Sequence, residues 1–169
     1  MKRGLVVGAA VLLVGLTAMH RTAWALLRFA APPSQLTVPV SGLTRASLHS
    51  SWDEPRSGRR RHQGIDIFAR RGTPVVAAAA GEVVRIGTTD RLGGNTVWVA
   101  GEGARLYYYA HLDRFAPRLT VGERVEGGTT LGFVGTTGNA RGTPPHLHFG
   151  VYPATRAFLA VDPTPLLRR

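Results

Sequence analysis

Five polar residues in three separated stretches are of the types that a hydrolytic metal site uses. They are His62 and Asp66 in HQGIDIFA, His111 in YYYAHLDR, and His146 with His148 in PPHLHFGVY. Imidazole nitrogen and carboxylate oxygen both bind zinc, and three protein ligands with a fourth position open to water make a catalytic zinc site. Water on such an ion falls in pKa from about 15.7 to about 7, and the ion also polarises a carbonyl for attack. Five candidates exceed three ligand positions, which leaves two histidines for proton transfer and charge stabilisation. Calcium and magnesium prefer all-oxygen sets, so a histidine-rich site argues against both. On spacing alone, either member of His146-x-His148 can bind metal, and both can. His111 has a second reading, as a half-buried histidine closing a tyrosine-rich strand. His49 has no partner motif and reads as an ordinary surface residue, and His20 falls in the N-terminal appendage, outside the site.

Strands are the elements that can bring these residues together. Side chains alternate faces along a strand, so His62, Gly64 and Asp66 share one face while Ile65 and Ile67 enter the core. His146 and His148 likewise share a face opposite Leu147 and Phe149. A glycine in the middle of the polar face leaves space for metal and substrate. Short β-rich runs punctuated by Gly and Pro predict strands at Gly64–Phe68, Pro74–Ala79, Gly81–Ile86, Thr96–Ala100, Arg105–Ala110, Thr129–Val134 and His146–Tyr152. Beyond the N-terminus no long helical periodicity is present. The expected class is therefore mainly β, an antiparallel sheet core with an N-terminal hydrophobic helix. Two segments, GTPVVAAAAGEVVRIG and GERVEGGTTLGFVG, look alike, each with a Gly-x-x-Val opening and a glycine-bounded strand; the match is short enough to reflect shared hairpin chemistry alone.

Of the 169 residues 44% are hydrophobic, which supports one packed domain with an appendage. Basic residues exceed acidic ones by 21 − 10 = 11, so the surface attracts polyanions. No helix-turn-helix, zinc-finger or ribonucleoprotein pattern accompanies that charge, and nucleic acid is not an expected partner. Arg59-Arg60-Arg61 reads as a solvated loop edge with room for a role in substrate steering. The absence of cysteine excludes disulfides, thiolate-bound zinc and a lipidated cysteine. Met1-Lys2-Arg3 followed by an uncharged apolar run to Met19 resembles an export signal, with Ala23-Trp24-Ala25 as a small-residue cleavage motif. The apolar character resumes over Ala23 to Leu27, so an uncleaved anchor in the bacterial inner membrane fits as well. Either reading sends the domain into the cell envelope. The expected organisation is 1–30 signal or anchor, 31–46 linker, 47–166 catalytic domain and 167–169 basic tail.

The separated motifs HQGIDIFARRGTPVVAAAAGEVV, GGNTVWV, YYYAHLDR, VGERVEGGTTLGFVGTTGNARGTPPHLHFGVY and the terminal VDP stand in one order. In that order the chain, from about Ser47 to Asp162, resembles the M23 (LytM/lysostaphin-type) zinc metallopeptidases, which cleave peptides of bacterial peptidoglycan. The resemblance implies an antiparallel β core with loops walling a narrow groove, and a monomer acting on peptidoglycan peptides. It implies zinc bound by His62, Asp66 and His148, with His146 as general base and His111 orienting water or stabilising the oxyanion. It suggests Arg56 as a substrate contact, whereas Asn95 and Asn139 are expected to fix turns. The segment Thr143-Pro144-Pro145-His146-Leu147-His148 departs from the usual Gly-x-His-Leu-His context and stiffens one groove wall. No wall-binding module is recognisable. Some relatives of this type are non-catalytic regulators that activate a cell-wall amidase; those typically lack metal ligands, which this chain retains.

Overall fold

The computed structural model describes residues 31–154 and 159–167. The hydrophobic helix and the export or anchor segment expected within residues 1–30 lie outside them. Among the described residues no helix is long and apolar enough to cross a membrane.

The described chain is built from strands and short 3-10 turns. In order the strands are β1 (Pro55–Arg56), β2 (Arg60–Arg61), β3 (Ile65–Phe68), β4 (Pro74–Val76), β5 (Gly81–Asp90), β6 (Gly94–Gly101), β7 (Arg105–Ala110), β8 (Leu112–Phe115), β9 (Arg124–Val125), β10 (Thr130–Val134) and β11 (His146–Pro153). They form a six-stranded sheet in the order β3-β11-β7-β6-β5-β9, a three-stranded sheet β4-β10-β8 and a small β1-β2 hairpin. Every pairing is antiparallel. Each of the seven strands expected from the sequence is present. β5 runs four residues beyond Ile86 because the register with β6 slips between Gly87 and Asp90, letting the strand continue to the turn. The strands that the pattern misses, β1, β2, β8 and β9, are two to four residues long, too short to show a period of two.

One core cluster draws on both larger sheets. Ile65, Ile67, Val97, Val99, Tyr107, Tyr109, Leu147, Phe149 and Val151 come from the six-stranded sheet, and Val75, Leu112, Leu131 and Val134 from the other. Side chains such as Phe149 and Leu147 are fully buried, and each contributes roughly 1.5–3 kcal/mol by leaving water. Residues expected as linker take part: Leu36 and Val40 are buried in this core, the Leu36 N–H bonds the Leu166 carbonyl at 2.7 Å, and Val40 bridges to Val75. Leu167, placed by the sequence in the basic tail, is also buried.

The two look-alike segments are partners in space. Each gives one strand to each sheet: β4 pairs with β10 in the small sheet, and β5 pairs with β9 at the edge of the large one. Reciprocal backbone bonds tie their ends, Ala77 N–H to the Thr129 carbonyl and Gly128 N–H to the Ala77 carbonyl, both at 2.8 Å. The similarity therefore has a structural counterpart beyond shared hairpin chemistry.

Candidate metal centre

The centre lies where β3 pairs with β11. The register sets His148 directly opposite Asp66, and His146 opposite Phe68. His62 precedes β3 and turns its ring back toward Asp66. Three donor atoms converge: His62 Nε2 lies 2.9 Å from His148 Nδ1, and Asp66 Oδ1 lies 3.2 Å from each of them. Ligands at 2.0–2.1 Å around a tetrahedral ion sit about 3.3 Å apart, so these spacings fit zinc with little movement. Among the described residues this is the group with metal-binding composition and spacing.

Outer contacts fix each of the three donor residues. His62 Nδ1 lies 2.6 Å from the Ser51 carbonyl. A carbonyl only accepts, so Nδ1 carries the proton and Nε2 offers its lone pair inward. The Ser51 hydroxyl in turn accepts the Asp66 N–H at 2.9 Å. Arg56 Nη2 donates to Asp66 Oδ2 at 2.6 Å and approaches His62 Nδ1 at 2.7 Å. With Nδ1 protonated, that second approach is a close neighbour and not a hydrogen bond. Burial pushes the Asp66 carboxyl upward, but hydrogen bonds with His148 and His62 and their charge more than offset it, so its pKa falls well below the usual range. Burial holds the His148 imidazole below its ordinary value, which favours the neutral ring a metal requires.

Gly64 serves this arrangement by lacking a side chain. A Cβ there would stand 2.8 Å from His148 Cε1 and 2.9 Å from Nε2. The gap expected to admit metal and substrate is filled by the His148 ring itself.

The other two histidines sit beside the donors. The ring centre of His111 is 5.0 Å from that of His146 and 6.0 Å from that of His148. His146 Nδ1 is bound by the Pro144 carbonyl at 2.8 Å, and its Nε2 lies 3.9 Å from Asp66 Oδ1. His111 Nδ1 is bound by the Thr137 carbonyl at 2.9 Å. Each ring thus spends its Nδ1 proton on backbone and turns Nε2 inward. His111 is buried, 7% exposed, and burial, followed by its histidine neighbours, lowers its pKa to about 4. Its backbone is left-handed at φ 64, a costly conformation for a residue with a Cβ. The bond from its N–H to the Gly93 carbonyl at 2.8 Å helps hold it. Gly93 and Thr137 belong to two loops that interlock through Gly94 and Gly138, both at φ 67. A Cβ on either glycine would overlap the backbone of the other loop.

All five candidate residues gather at one place, and Arg56 joins them through Asp66. His49 is exposed and apart. Asn95 cross-links loops as expected of a turn-fixing residue, donating to the Leu112 and Asp113 carbonyls at 3.0 and 3.2 Å. Sequence reasoning missed Ser51 and Thr137, since both act mainly through backbone carbonyls, which no residue type advertises. It also missed an aromatic floor in which Tyr108 meets His148 edge-on at 5.8 Å and Trp98 at 4.3 Å. The YYYAH run holds a signal for it, because Tyr108 and Ala110 share the face opposite Tyr107 and Tyr109.

Residues 60–163 match the model of peptidase family M23. The chain belongs to that family. It is 38% identical over 138 residues to an L-Ala–D-Glu endopeptidase of Bacillus subtilis, covering 77% of this chain and 42% of that protein. The glycyl-glycine endopeptidase ALE-1 of Staphylococcus capitis is 40% identical over 111 residues, 63% of this chain and 29% of its own length. The chain thus spans less than half the length of these curated relatives. Among solved structures, the catalytic domain of lysostaphin from Staphylococcus simulans superposes with a TM-score of 0.61 at 32% identity, covering 69% of this chain and 87% of that one. A putative M23 peptidase from Pseudomonas aeruginosa covers 94% of this chain and 60% of its own, with a TM-score of 0.56 at 31% identity.

Proposed function

We propose that this M23 protein is a zinc metalloendopeptidase that hydrolyses peptide bonds in bacterial peptidoglycan, in crosslinks or stem peptides. The observation that carries the reading is the tetrahedral spacing of His62 Nε2, Asp66 Oδ1 and His148 Nδ1 with two further imidazoles turned toward them. The named activities of its relatives supply the substrate class.

His62, Asp66 and His148 would hold the ion, and Arg56 would keep Asp66 Oδ2 turned away so that Oδ1 faces it. Zinc bound there supplies a Lewis acid that acidifies water and polarises the scissile carbonyl. His146, with Nδ1 anchored on Pro144, is the general base: Nε2 takes the proton from the attacking water and returns it to the leaving amine. His111 is neutral at pH 7 with its proton on Nδ1, so Nε2 accepts a hydrogen bond and orients water; an oxyanion would need a donor in that place. The exposed nitrogens of Arg56, whose side chain is 35% exposed, are available to a substrate carbonyl. A substrate in the wall agrees with export or anchoring by the apolar N-terminus.

The test is to quantify zinc in the full-length protein and incubate it with purified peptidoglycan, with and without a chelator, identifying fragments by mass spectrometry. New chelator-sensitive peptide ends are expected. Absence of both zinc and cleavage would overturn the reading in favour of a regulatory binding role.

A further inference from the structure

A concave pocket of about 360 Å³ is lined by Thr88, Asp90, Arg91, Asn95, Thr137 and Arg141 with Gly94 and Gly138 between them, and Thr137 links it to His111. It opens where the β5–β6 turn meets the loop before β11. These segments also hold His111, through the Gly93 and Thr137 carbonyls, so the same two loops shape the pocket and place the His111 ring.

Its charges are unequal in availability. Asp90 is committed to the turn: Oδ1 accepts the Leu92 and Gly93 N–H groups at 2.9 and 3.0 Å, and Oδ2 accepts the Tyr108 hydroxyl at 3.3 Å. Asn95 has spent its amide hydrogens on Leu112 and Asp113. Arg91 and Arg141 are exposed, and neither has an ion-pair or hydrogen-bond partner among the described residues. Several other arginines are engaged, Arg61 with Asp53, Arg71 with Asp113 and Arg56 with Asp66. Two unpaired arginines, one from each loop, thus line a cavity whose carboxylate is already bound. The planar fork of a guanidinium matches a carboxylate in two parallel hydrogen bonds. Gly94 and Gly138 let the two loops pack backbone to backbone at the pocket's base, which fixes the spacing between the two arginines' segments.

We infer that this pocket is a specificity subsite in which Arg91 and Arg141 bind a free carboxylate on the substrate peptide, next to the scissile bond. The inference rests on the peptidase reading. It makes the protein selective for peptides that keep an acidic group there over those in which it is amidated.

The test compares fragments of purified peptidoglycan with their carboxyl groups free against the same fragments converted to carboxamides with carbodiimide and ammonia. The zinc-loaded full-length chain is expected to cleave the free acid with a kcat/KM roughly ten- to hundred-fold higher, the range of a charge-assisted pair. The double variant Arg91→Gln/Arg141→Gln should lose that preference, mainly through KM, while zinc content and thermal unfolding stay unchanged. The Arg118→Gln/Arg124→Gln double variant, outside the pocket lining, should keep it. Equal rates on both substrates, or equal losses in the two double variants, would overturn the subsite. Titrating both fragments into the chelated protein separates the two readings. If neither is cleaved by the loaded protein, the peptidase reading fails, and a preference for the free acid that vanishes in Arg91→Gln/Arg141→Gln still upholds the pocket. Equal binding of the two forms removes it.

Discussion

The two halves of the centre are held in place by different means. Asp66 and His148 face each other across paired strands, so sheet register sets their separation. The rings of His111 and His146 are fixed by loop carbonyls, those of Thr137 and Pro144; His146 still opens β11 opposite Phe68, whereas His111 pays for its place with a left-handed backbone. A ladder of backbone bonds resists displacement cooperatively, whereas a loop contact depends on a few neighbours. The Asp66–His148 spacing should therefore be robust to changes in the loops, whereas His62, set ahead of β3 by the Ser51 carbonyl, and His111 should be sensitive to them.

The comparison breaks most visibly at the ligands. Replacing His148 with Ala is expected to abolish zinc retention and cleavage together, a loss on the order of a thousand-fold or more; metal analysis with a rate assay checks it, and full activity would end the assignment. His146→Ala should separate the halves, keeping zinc near wild-type content while cleavage falls about 10²–10⁴-fold. Arg56→Ala tests the outer support of Asp66. Competition with a chromophoric chelator should show zinc affinity weakened roughly 10–100-fold, whereas an unchanged affinity alongside a raised KM would leave Arg56 as a substrate contact alone. The mildest change is Gly138→Ala, which forces a Cβ into the neighbouring loop at a positive φ. It should lower unfolding free energy by about 1–3 kcal/mol, slow cleavage and leave zinc content intact.

The same division governs what was readable in the sequence. HQGID and HLH carry the period of two, so the ligand strands and the core side chains between them were legible as pattern. The choice of His148 over His146 as ligand was not, because it depends on which side chain opposes Asp66 across the sheet, a matter of register between segments 82 residues apart. The resemblance to M23 peptidases supplied that choice; in the structure it is His148 that pairs with Asp66, and His146 with Phe68. His111 could be placed at the end of a strand but not in its left-handed turn, since the interlocking of Gly94 with Gly138 joins two loops that no local signal links. Arg56 was expected to face substrate; its grip on Asp66 arises because the β1-β2 hairpin folds back over His62, and two-residue strands leave no periodic trace.

The position of β3 at the rim of the six-stranded sheet has a further consequence. An ion shared by Asp66 and His148 would join points 82 residues apart, as a disulfide of that span would. Closing a loop of that length restricts the unfolded chain by an amount equivalent to about 4–5 kcal/mol. The ion would thus act as a rivet for an edge strand whose other flank has no partner strand among the described residues, and metal shortage would loosen that rim at the same moment that it silenced the chemistry.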